Sequence, residues 1–167
     1  MPFATRADLL ARTNARRLAQ LAVPADMVMP PEAALRVAID GGSLTGYSAD
    51  EQTALAGALD AIDKCLADAD ALILSYGIPD TVQTTLIARL ASTVALYYLH
   101  GAERMTDDAA KAYQGVIDTL KAHARGELNL IPPEPPLPTD PVVSDDLVQF
   151  ESSARRYGGT STVVEDW

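Results

Sequence analysis

The chain has 167 residues, is 48% hydrophobic but only 5% aromatic, and carries a formal net charge of −10. This length admits one domain with an appendage. Its Ala- and Leu-rich, aromatic-poor composition favours packed helices over a β-sandwich, and its acidity disfavours ordinary DNA binding, which sets Lys and Arg against phosphates.

The lone cysteine, Cys65, allows no intrachain disulfide. No apolar run approaches the ~20 residues that span a bilayer, and Met1 to Leu18 mixes charges among its apolar residues, unlike a signal peptide. A soluble protein without a membrane partner is expected, made in cytoplasm and kept there or in something assembled there.

In chain order, Thr5 followed by Asp8 predicts a capping box and a first short helix with Leu9 and Leu10 on its apolar face. Arg16 to Leu21 gives a second short helix, ended by Pro24. Pro30-Pro31-Glu32 opens a third, carrying Leu35, Val37 and Ile39 and stopping at Gly41-Gly42. Gly41 to Gly46 reads as a loop. Ser48-x-x-Glu51 is a second capping box. Beyond it, apolar residues recur at helical steps through Leu55, Leu59, Ile62, Leu66, Ala69, Ile73 and Tyr76, which predicts a long rod over Ser48–Tyr76. Gly77 and Pro79 end it. Asp80 is read as the cap of the next helix. Leu86, Leu90, Val94 and Tyr97 line one face of that helix, and Ile87, Ala91, Ala95 and Tyr98 lie beside them. So wide an apolar surface makes it the central, nearly surrounded element, ending at His100-Gly101. Thr106 or Asp107 caps the last helix, whose stripe is Tyr113, Val116, Ile117, Leu120 and Ala124 and whose stop is Gly126. The expected fold class is therefore all-α: a small bundle of three longer helices plus short N-terminal helices.

The chain then changes character. Ile131 to Pro138 contains five prolines and Pro141 follows, so this stretch is read as extended, polyproline-like chain. Two units are expected: a helical domain at 1–130 and an extended C-terminal docking tail at 131–167. Residues 132–167 hold seven acids and two bases, net −5, against 16 acids and 11 bases in the rest, also −5. The tail also carries Leu147, Val148, Phe150, Tyr157, Val163, Val164 and Trp167. Apolar anchors on an acidic extended chain point to docking, with Leu147, Phe150, Arg155, Arg156, Tyr157 and Trp167 as the candidate partner-contacting residues. Folding back onto its own body is the other reading.

Candidates for chemistry are sparse. His100 and His123 sit at helix C-terminal ends, where imidazole satisfies carbonyls, and no H-E-x-x-H or C-x-x-C spacing accompanies them. Asp60, Asp63, Asp68 and Asp70 fall largely off the apolar stripe and read as a solvated face rather than a metal or acid–base cluster. The Gly41–Gly46 loop lacks the Lys-Ser/Thr of a phosphate loop. Cys65, among Ile62, Leu66 and Ala69, reads as a small buried or half-buried thiol with no assignable base.

Four motifs in order carry a resemblance. They are Ala4-Thr5-x-x-Asp8-Leu9; Ala58-Leu59-Asp60-Ala61 running on to Tyr76 and then Pro79; Leu90 to Leu99 with Ala91, Ala95 and Tyr97-Tyr98; and Tyr113 with Leu120-x-x-x-Ala124-x-Gly126-x-x-x-Leu130. This set resembles the small head–tail adaptor (connector) proteins of tailed bacteriophages, in particular the Mu-like family, over roughly the first 130 residues. The Gly41–Tyr47 loop and the proline-rich tail are longer than in that pattern. The resemblance implies a structural virion protein of the neck, between head and tail, assembled in the bacterial host cytoplasm. It implies a ring of twelve copies beneath the portal protein that extends the DNA channel and docks the next neck or tail-completion protein. DNA passes through without specific binding, and no cofactor, metal or catalytic residue is implied. An acidic tube would repel DNA and let it pass. Two other readings remain: a free-standing helical interaction or regulatory module whose acidic tail binds a partner, and an enzyme using Asp60–Asp70 with a metal.

Overall fold

The computed structural model describes residues 1–101 and 104–133. They form six helices and, among the described residues, no strand: α1 (Arg6–Arg12), α2 (Ala15–Ala22), α3 (Glu32–Ile39), α4 (Ala49–Ser75), α5 (Thr85–His100) and α6 (Asp107–Ala124). The expected all-α body of three longer and three short helices is what the chain builds.

Local chemistry sets the helix starts. Thr5 and Asp8 form the expected capping box: the Asp8 N–H donates to Thr5 Oγ1 at 3.2 Å and the Thr5 N–H donates to Asp8 Oδ2 at 2.8 Å. Ser48 and Glu51 repeat it at the start of α4. Each box satisfies two backbone donors that a helix otherwise leaves orphaned. In α2, Asn14 supplies the cap, its Oδ1 accepting from Arg17 N–H at 2.7 Å.

The cap of α5 corrects the sequence reading. Thr84, not Asp80, accepts from Ile87 N–H at 3.2 Å. Pro79 to Val82 closes a turn through Val82 N–H to Pro79 O at 3.0 Å, and the Asp80 carboxylate lies 2.9 Å from the Met1 amino group. Asp80 is thus spent inside the Pro79–Val82 turn, and the helix starts after it, at the Thr84 cap.

α4 is a 27-residue rod about 40 Å long. It buries Leu55, Ile62, Leu66, Ala69 and Ile73, with Leu59 and Tyr76 half-buried against the same core. α5 lies along α4 and also packs on α6, α1 and α2. From Ile87 to His100 only Arg89 is exposed, so α5 is the central helix. Leu86 departs from the expected face. It is 48% exposed, because Ile87 takes the inward position in the first turn. Ser92 is the one buried polar side chain among the described residues, and its hydroxyl donates to Ala88 O at 2.6 Å.

α6 ends in a Schellman turn. Gly126 adopts φ +74°, its N–H donates to His123 O at 2.9 Å, and Glu127 N–H donates to Ala122 O at 2.9 Å. The turn brings Leu130 back into the core, where it is buried. The chain thus leaves the helical body pinned at Leu130.

Candidate interaction surface

Phe3 and Arg6 tie the N-terminal segment to α4. Phe3 and Ala4 are buried, and the Phe3 N–H donates to Asp70 Oδ1 at 3.0 Å. Arg6 Nε donates to Asp63 Oδ1 at 2.7 Å, and its second nitrogen pairs with the other carboxylate oxygen. This fork-on-fork arrangement holds the Asp63 carboxyl below the ordinary carboxylate range. Asp70 moves the other way: burial outweighs the Phe3 N–H and raises its pKa. The Ala4-Thr5-x-x-Asp8-Leu9 motif therefore has a structural meaning. Ala4 and Leu9 are buried, and Thr5 and Asp8 cap the helix between them.

The four aspartates between Asp60 and Asp70 on α4 do different things. Asp60 pairs with Lys64 one turn on, at 2.6 Å, which raises the lysine pKa. Asp63 and Asp70 hold the N-terminal segment, and Asp68 is exposed. Among the described residues no group of His, Cys, Asp or Glu is arranged to hold a metal ion.

Both histidines contact carbonyls. His100 Nδ1 is 2.6 Å from Leu96 O, and His123 Nδ1 is 3.1 Å from Leu128 O beside the α6 stop. Cys65 is half-buried, and burial raises its pKa, leaving less thiolate at neutral pH. The Gly41–Gly46 loop is tied down rather than open. Gln52 Nε2 donates to Leu44 O at 3.0 Å and to Tyr47 O at 2.8 Å.

Two surface features were not legible in the sequence. The first is a cleft of about 530 Å³ between α1, α5 and α6, lined by Arg12, Arg89, Thr93, Leu96, Tyr97 and His100 with α6 alanines on the far wall. Tyr97 at its edge stacks on Tyr113 of α6, ring centroids 3.9 Å apart at 10°, and Tyr98 meets Tyr97 edge-on at 5.9 Å. Burial and Tyr113 together push the Tyr98 phenol up to about 12. The second is the α2–α3 connection, where Val28 and Met29 are more than half exposed. Spacing along one helix cannot reveal a cleft that three helices make jointly.

The tail residues expected to contact a partner, Leu147, Phe150, Arg155, Arg156, Tyr157 and Trp167, lie outside the described residues. Among the described residues no helix is long and apolar enough to cross a membrane.

A six-helix body with a fastened N-terminal segment defines the protein's class as a small all-helical module. Residues 3–144 match the family model described as Bacteriophage Mu, Gp36, and the chain belongs to that family. It is therefore a Mu-like phage protein, of the structural or morphogenesis kind and associated with the virion. The match runs through the proline-rich stretch but stops before Leu147, so all six candidate docking residues lie beyond it. No curated protein matches the chain.

Proposed function

We propose that the chain is a head–tail adaptor: a neck protein that forms a closed ring beneath the portal, continues the DNA channel and docks the next neck or tail-completion protein. Membership of the Gp36 family is the observation that carries this reading. The rest is physical support. A ring requires heterologous contacts, one face of each copy meeting a different face of the next, and a packed helical body with its N-terminal segment tied down and Leu130 buried suits repeated packing. Net charge −10 per copy makes the assembled tube strongly negative, so DNA slides without adhering. The role has no catalytic step and takes no cofactor. The tail at 131–167 carries partner contacts through its acids and its apolar anchors.

The test is co-migration with the purified portal protein on size-exclusion chromatography. The chain alone is expected to run as a monomer or weak oligomer and to shift to the portal fraction on mixing. Failure to shift at any salt concentration would count against the adaptor role.

A further inference from the structure

We infer that the cleft between α1, α5 and α6 is the seat for the acidic C-terminal segment of a neighbouring copy. This use of the cleft deepens the ring reading and rests on it.

The first observation is charge. Residues 1–133 carry net −5, yet Arg12 from α1 and Arg89 from α5 face one cleft together with His100. Arg12 and Arg89 are both exposed, and among the described residues neither has a carboxylate within ion-pair distance. The second observation is shape. The cleft continues along the α5–α6 seam as a smaller groove that shares Arg89, Thr93 and Ala112 and extends past Gly115, with Leu86 exposed at its far end. Small residues on the α6 wall leave room for a chain to lie between the helices. The groove therefore offers the Arg12 guanidinium toward one end, the Arg89 guanidinium along its length, and apolar surface beside both.

The occupant that fits is in the same sequence. From Asp140 to Glu151 acids and apolar residues interleave: Asp140, Asp145, Asp146 and Glu151 around Leu147 and Phe150. Thirty-four residues follow Pro133, which can span on the order of 110 Å when extended, enough to reach an adjacent subunit. Copies of net charge −10 repel one another. Seating the acidic segment of one copy on the cations of the next turns part of that repulsion into attraction. Charge-assisted pairs between carboxylates and Arg12 or Arg89 would fix the register, while Leu147 and Phe150 bury apolar area.

The test titrates a fluorescent peptide of residues 134–167 with the full chain at low salt and reads anisotropy. Saturable binding is expected. Arg12→Glu with Arg89→Glu should weaken it about tenfold or more, and Ala112→Trp, which fills the groove without changing charge, should weaken it comparably. Absence of saturable binding, or binding indifferent to these changes, overturns the proposal. Both arginines are exposed, so circular dichroism should show a folded double variant; if it does not, the double Gln variant and Ala112→Trp decide instead. Cross-linking a mixture of isotope-labelled and unlabelled chain then identifies the donor. Groove-to-tail links in mixed pairs support exchange between copies, and links in same-isotope pairs alone overturn it. If the peptide binds as expected but no ring forms on the portal, the cleft assignment stands and the adaptor reading falls. If a ring forms while the peptide fails to bind, the cleft assignment falls and the adaptor reading stands.

Discussion

Asp63 and Gly126 each hold one end of the helical body, by different physics. The Arg6–Asp63 pair is partly exposed, so its worth is that of a surface ion pair, about 0.5 kcal/mol. Because the folded Asp63 pKa is lowered, this stability is present above the ordinary carboxylate range and is lost as pH falls through the lowered value. Asp63→Asn should therefore lower the urea midpoint at neutral pH, and the difference from the parent should vanish in strong acid. Asp70 has the opposite sign. Its raised pKa makes ionisation unfavourable in the folded state, so its contribution falls as pH rises through that value. Gly126 has open space around a would-be Cβ, and only its φ of +74° matters. Gly126→Ala should cost about 1–2 kcal/mol through backbone strain alone, measured as a shift in denaturation midpoint with an unchanged slope. At this scale the sequence was informative where a residue acts on its near neighbours. Gly126 as a stop and the histidines on carbonyls could be read from spacing. Asp63 reaching Arg6 across 57 positions could not.

At the scale of elements, a side-chain cap marks where five of the six helices begin, and α3 starts at Pro31 instead. Ser48→Ala removes one half of the α4 box and should cost about 1 kcal/mol. Thr84→Ala should cost a similar amount, whereas Asp80→Ala should change stability by no more than an exposed pair does, about 0.5 kcal/mol. Thermal denaturation of the three variants side by side would separate the two assignments for α5. The helices themselves were legible because their apolar residues recur at three- and four-residue steps. α4 kept every position of its expected stripe at least half-buried. The errors came where two local signals compete. Asp80 is a good capping residue by type, but the turn begun by Pro79 places it outside the helix. Leu86 matches the period, yet first-turn positions lie at the end of the packed face and Ile87 fills the inward place.

For the molecule at large, the six helices of residues 1–133, with α4 and α5 at the centre, give a body whose surface differs by face. One face is closed by the fastened N-terminal segment. Another opens into the cleft that holds Arg12 and Arg89. That cleft exists only once α1, α5 and α6 meet, which is why periodicity in a single helix gave no sign of it. The ordered motifs led to a Mu-like phage family, since their order along the chain is specific even though each motif alone is only a helix core. Ring formation is a property of many copies and has to be read from an assembly. The most direct measurement is cryo-electron microscopy of the full chain mixed with purified portal. An adaptor should appear as a closed ring of helical density directly beneath the portal, continuing its channel. Portal particles bare of added density, or decorated only by scattered single copies, would contradict that role.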